Sequence, residues 1–335
     1  MDRHPNMKMN RRHALLGTAG LVLQAAAPHV LAQAAESAAA AMSRLKIYIP
    51  AGKGGGWDQT GRSLGRAIQS TGLVPEIEYA NNGGKGGTVG LADFVAKHQG
   101  DPSALLVGGM VMVGAIAVNR PSVTLRQVRP VARLTSDYMV LVTPAEGPYR
   151  NMAALSADIR RDLSRVAFCG GSAGGVDHML AGMIARTLRA DTRQLQYLPT
   201  SSGKEAMELL HTGKASVAIS GYSEFKAGIE DRSLTALAMS SRRALFGIPS
   251  LREQGVDTEL SNWRGVFAPA AITEQQLGQL RQTVVRATES PVWRQALRDN
   301  KWTGTTLHGK DLSDFLEIED AIANAVTLML KLKPA

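Results

Sequence analysis

One pattern constrains the fold more than any other in this sequence. Short apolar runs are each followed by a glycine- or serine-rich turn, and then by a segment with helical spacing. "LKIYIP" leads into "GKGGGWD", "EIEYAN" into "NNGGKGGT", "VAFC" into "CGGSAGGVDH", and "QLQYL" into "PTSSGKE". After the first turn, Trp57, Gly61, Leu64 and Ile68 recur at helical intervals, which predicts an amphipathic helix starting near Asp58. Further strands are expected at "ALLVGG", "YMVLVT", "ASVAIS", "LTALAM" and "WRGVFAP". Helices are expected over residues 177–189, 203–212 and 223–231, and three more close the chain over 273–289, 291–299 and 310–332. Strands alternating with helices of about 10–15 residues imply parallel sheet covered on both faces. The two halves of the pattern open alike, so the expectation is an α/β protein of two similar lobes.

The first residues read differently. "MNRRHALLGTAGLVLQAAAPHVLAQA" has a basic start, a mildly apolar run from Ala14 to Ala27 and small residues suited to signal-peptidase cleavage. The run is shorter than the roughly 20 residues of a spanning helix. Arg11 and Arg12 followed by Leu15 and Leu16 resemble a twin-arginine signal, with an ordinary secretory signal as the alternative. Residues 1–34 are therefore read as a cleaved export signal and the protein as periplasmic. No cysteine follows the apolar run, which excludes a lipid anchor there. Removing the signal lowers the net charge from +9 to about +6. The positive charges are scattered and aromatic residues make up only 5%, which argues against a nucleic-acid partner and suits a small anion. Cys169 is the single cysteine, so no intrachain disulfide forms, and its apolar flank suggests a buried thiol.

The functional signal lies in the turns. In an open parallel sheet, ligands bind beyond the carboxyl ends of the strands. The first N–H groups of each following helix lack intrahelical partners and carry partial positive charge, so such ends accept carboxylate or phosphate. Nucleotide motifs do not fit. "GKGGGW" has tryptophan where a dinucleotide fingerprint needs glycine or alanine, and "GGKGGT" lacks the Lys-Ser/Thr pair of a phosphate loop. The sequence has no GxSxG elbow, no HExxH and no metal-spaced cysteines. Ser172 with Asp177 and His178 is the one constellation that suggests hydrolase or lyase chemistry, but Asp177 and Asp58 also read as first-turn acids of helices.

Taken in order, "PAGKGGGWDQTGR", "NNGGKGGTVG", "GGSAGGVDH", "YLPTSSGKEAMELLHTGKASVAIS", "IPSLREQG" and "WRGVFAP" resemble the extracytoplasmic solute-binding proteins of tripartite tricarboxylate transporters, the TctC or Bug family. The resemblance runs from about Leu45 to Lys333, and its first motif is nearest the tricarboxylate-binding branch. It implies a type II periplasmic-binding-protein fold with two α/β lobes and a ligand cleft between them. Lobe 1 would comprise residues 44–143 plus 262–335 and lobe 2 residues 144–261, with crossings near Met139–Pro144 and Trp263–Pro269. It also implies a non-enzymatic, monomeric receptor without a cofactor or metal. Such a receptor would capture a citrate-like tri- or dicarboxylate and deliver it to the membrane components of the transporter, or report it to a membrane sensor.

Carried over by motif, the first-lobe contacts would be Gly55, Gly56, Trp57 and Asp58 with Gly84, Gly86 and Thr88. The second-lobe contacts would be Ser172, Asp177, His178, Tyr197, Ser201 and Ser202, extended to Ser220. Two positions depart from the family pattern. Lys53 stands where proline is common, and Gly83-Gly84-Lys85-Gly86 replaces Pro-Gly-Ala-Gly. If Lys53 and Lys85 face the cleft, they favour a more highly charged anion. Trp57 is expected either in the core or as the cleft floor.

Overall fold

A computed structural model describes residues 42–200 and 202–331. The expected export signal, residues 1–34, and Ser201 lie outside the described residues. The described residues build ten strands into one continuous sheet, with ten α-helices packed around it.

The first part of the sheet begins with β1 (Arg44–Ile49), which pairs in parallel with β2 (Glu76–Asn81) and β3 (Ala104–Gly109). β4 (Val128–Pro144) and β9 (Ser261–Pro269) extend this part. β3 runs antiparallel to β9, and β9 antiparallel to the first eleven residues of β4, from Val128 to Tyr138. β10 (Thr303–Leu307) adds antiparallel to the same portion of β4. From Met139 onward β4 changes neighbours. It now pairs antiparallel with β7 (Val217–Gly221) and β8 (Leu234–Met239). β7 then pairs in parallel with β5 (Ala167–Gly170), and β5 with β6 (Gln196–Pro199). One long strand thus carries both parts of the sheet, and the switch falls between Tyr138 and Met139.

The helices are α1 (Gly56–Ser70), α2 (Thr88–Lys97), α3 (Met110–Asn119), α4 (Met152–Arg161), α5 (Val176–Thr187), α6 (Gly203–His211), α7 (Tyr222–Glu230), α8 (Glu274–Thr288), α9 (Pro291–Asn300) and α10 (Gly309–Met329). Eight of the ten lie where the sequence pattern implies, and α3 and α4 are additional. α1 buries Trp57, Leu64 and Ile68 on one face, the stripe expected from their spacing. It lies close against β1 and β2, because a Cβ at Gly65 would fall 2.1 Å from the Tyr79 hydroxyl.

The second part of the sheet has its own core. Val140, Val142, Cys169, Ala218, Phe225 and Met239 are all nearly inaccessible. Cys169 is a core thiol, as its flank suggested. Burial pushes it up to about 12, with the Asp177 charge adding to the effect, so it is not a nucleophile near neutrality.

Four features were not apparent in the sequence pattern. α4 was not expected, although Asn151 caps it by accepting the Ala154 N–H. α3 is apolar on almost every face, with seven of its ten residues buried, so no helical stripe marks it. The first half of β4 contains Pro130, which sits at a register shift beside Ala132, where a missing N–H is tolerated. β10 is short and mostly exposed, so it carries no buried alternation. Among the described residues, no helix is long and apolar enough to cross a membrane.

Candidate functional site

The carboxyl ends of the parallel strands open onto one cleft of about 570 Å³. Pro50 and Gly52 follow β1, Gly83 follows β2, and Gly171 and Thr200 follow β5 and β6. Six helices also begin at this cleft. Gly56 of α1, Val111 of α3, Val176 of α5 and Gly203 of α6 line it, as do Gly87 and Gly221, the residues capping α2 and α7. Each helix is eight residues or longer, and each brings unpaired amides and the positive end of its dipole toward the same space.

The loop before α2 is unusual. Gly84, Lys85, Gly86 and Gly87 all have positive φ, at 132°, 46°, 62° and 88°. Gly87 must be glycine for a second reason: a Cβ there would lie 2.4 Å from the Trp57 ring. Trp57 is only 8% exposed, and the same ring lines the cleft. The two expectations for Trp57 therefore both hold: it closes the core and forms part of the cleft wall.

At the switch between the two parts of the sheet lies a buried ion pair. Arg264 of β9 donates from Nη2 to Asp137 of β4 at 3.1 Å, and both side chains are 7% exposed. Arg264 also stacks its guanidinium 4.9 Å from the centre of the Trp302 ring. Its Nε has no hydrogen-bond partner. Burial raises Asp137; Arg264 opposes this, and the Glu224 charge adds to it, leaving the carboxyl at about 6. Asp177, on the first turn of α5, accepts the Gly171 N–H at 2.7 Å through Oδ2, while Oδ1 is unpartnered. Asp137, Asp177, Glu224 and Arg264 all line the cleft.

Residues 73–331 match the family described as "Tripartite tricarboxylate transporter family receptor". This chain belongs to that family of receptors. A curated relative from Pseudomonas sp., "UPF0065 protein in tcbD-tcbE intergenic region", is 24% identical over 257 residues, covering 75% of each chain. Among solved structures, the periplasmic binding protein BugD is similar with a TM-score of 0.73 at 18% identity, covering 87% of this chain and 99% of its own. MatC from Rhodopseudomonas palustris with bound malate has a TM-score of 0.68 at 21% identity, covering 84% and 98%. A protein of R. palustris with adipate has a TM-score of 0.74 at 20% identity, covering 88% and 99%. The fold is that of these periplasmic binding proteins.

Within the receptor's cleft, the structure brings together Gly56, Trp57, Gly84, Lys85, Gly86, Ser172, Asp177, Ser202 and Ser220. Other expected contacts sit behind this surface. Asp58 accepts from Gly54 N–H, Arg62 and Asn81, which outweigh burial and hold its carboxyl below the usual range. Thr88 donates to the Lys85 carbonyl and so closes the loop. His178 accepts the Gly174 N–H at Nδ1 and stacks on Tyr197 at 4.2 Å. Burial lowers His178 to about 4, so the ring is neutral. Tyr197 donates to the Gly171 carbonyl. These four residues shape the turns rather than line the cleft. Gly55 and Lys53 are exposed and lie off the cleft wall.

Among the described residues, no hydrogen bond joins Ser172 to His178, and no group of three or more histidine, cysteine or acidic side chains is placed to hold a metal ion. Sequence reasoning did not single out Asp137, Glu224, Asn262 or Arg264. The available signal was charge inside otherwise apolar crossing strands: an aspartate before "YMVLVT" and an arginine in "WRGVFAP".

Proposed function

We propose that this chain is an extracytoplasmic receptor that captures a small di- or tricarboxylate in the cleft and delivers it to the membrane components of a tripartite tricarboxylate transporter. The supporting observation is the convergence of six helix N-termini on one cleft, with Arg264 and Lys85 among its walls. Free amides at helix ends are built for carboxylate oxygens. The malate and adipate carried by two structural neighbours point to the same ligand class. Lobe 1 is residues 44–143 with 262–335 and lobe 2 residues 144–261, and the Tyr138–Met139 switch in β4 is where they articulate. A hydrolase reading would require Ser172 and His178 to act together, yet His178 Nδ1 is committed to the backbone.

A thermal-shift panel of malate, tricarballylate, citrate and adipate, with glucose and putrescine as neutral and cationic controls, tests the ligand class. A bound carboxylate at a hundred times its dissociation constant stabilises the fold by about 2.7 kcal/mol, which raises the melting temperature clearly. A shift with glucose or putrescine, and none with any carboxylate, contradicts this reading.

A further inference from the structure

Six helix ends make the cleft receptive to an anion, yet Asp137, Asp177 and Glu224 line the same space. Arg264 is already engaged by Asp137. Asp177 is the least compensated of the three acids. It is 6% exposed, its Oδ2 accepts one backbone N–H, and its Oδ1 has no partner. Among the described residues, no cationic side chain pairs with it. The groups around it are Cys169 on β5, Tyr197 on β6, Asp137 on β4 and Glu224 on α7, none of them cationic. On its own helix, His178 is neutral. Lys85 reaches the cleft from the loop before α2. Burial raises the Asp177 carboxyl; the Gly171 N–H lowers it, and the Glu224 and Asp137 charges raise it further, to about 7. A ligand carboxylate arriving here adds another negative charge, and two carboxyl groups sharing one site retain a proton between them.

We propose that Asp177 enters the ligand complex as a neutral carboxylic acid whose Oδ1–H donates to a ligand carboxylate, so that capture takes up a proton from solvent. This rests on the carboxylate-receptor reading above. Asp177 then acts as a specificity determinant, since a neutral acid at this position requires an acceptor on the ligand and attracts a ligand ammonium group far less than an ionised acid would. Oδ1 is both unpartnered and buried, so it is the atom left for that bond once the carboxyl turns toward the ligand.

Calorimetric titration with malate tests the proposal, because malate has no titration of its own above neutrality. Measurements in two buffers of different ionisation enthalpy give the number of protons exchanged. The expected result is uptake approaching one proton per malate near pH 8, with affinity roughly tenfold weaker at about pH 8.5 than at about pH 7. Asp177→Asn, whose amide donates without titrating, is expected to bind malate more tightly than the native chain at about pH 8.5 and to lose most of the pH dependence. Proton release, or native binding that does not vary over this range, overturns the proposal while leaving the receptor reading intact. If malate fails to bind, the same titration with tricarballylate is read in the same way. Failure of every carboxylate at all pH values overturns both. Should Asp177→Asn not fold, the proton count of the native chain decides the matter.

Discussion

Lys85 is the residue in which local backbone and ligand chemistry meet most directly. It is a non-glycine residue at φ 46° between glycines, and it lines the cleft. A left-handed conformation costs an L-residue about 1–2 kcal/mol, so a lysine here is retained against local preference. Both lysines are exposed, but Lys53 has no positive φ and lies off the cleft wall, so it makes no such demand. The two lysines look equivalent in sequence and are not equivalent in space. Lys85→Gly is expected to raise fold stability by about 1 kcal/mol, by relieving the backbone, and to weaken a tricarboxylate roughly tenfold. Lys53→Ala is expected to change tricarboxylate affinity less than twofold. Denaturant melts and titrations with tricarballylate check both, and equal losses of affinity for the two variants would remove Lys85 from the site.

At the scale of elements, the decisive contact is between β4 and β9. Arg264 and Asp137 join the two strands where β4 changes neighbours, with little exposure to water. Removing one member of a buried pair leaves the other uncompensated, at a cost of about 3–5 kcal/mol. Arg264→Ala is expected to destabilise by about that amount at pH 8, where Asp137 must ionise without a partner. The loss should be smaller at pH 5. The sign follows from the raised carboxyl: with native Asp137 already at about 6, removing the guanidinium raises it further, so the folded state holds its proton and stability falls as pH rises. Denaturation midpoints at the two pH values measure this, and adding Asp137→Asn should recover most of the loss at pH 8. A pH-independent loss would contradict this account of the pair.

Elements also show how far sequence reasoning reached. The glycine turns marked where strands end and helices begin, because Gly83–Gly87 and Gly170–Gly175 follow short apolar runs. That located much of the cleft wall, including Gly56, Lys85 and Asp177. It did not reveal which turn residues face outward. Asp58, His178 and Tyr197 occupy motif positions beside the cleft but are turned into the loops by hydrogen bonds, Asp58 and Tyr197 with Asn81 and Gly171 on other segments and His178 with Gly174 of its own turn. Arg264 and Asp137 were missed because their pairing is a register fact: only when β9 lies against β4 do two residues 127 positions apart in the chain come within 3.1 Å.

Among the described residues one continuous sheet is carried by β4, with the parallel strands ending at the same cleft. That arrangement puts the cleft where β4 changes partners, and the lobe motion proposed above, a small rotation about Tyr138–Met139, would alter the cleft more than either core. Capture of a small carboxylate is the central claim for this architecture. Native mass spectrometry of freshly purified protein tests it most directly. The account predicts a population carrying the added mass of one di- or tricarboxylic acid, released chemically unchanged on denaturation. Protein without any bound acid, even after incubation with malate, tricarballylate, citrate and adipate, or recovery of those acids in altered form, would contradict it.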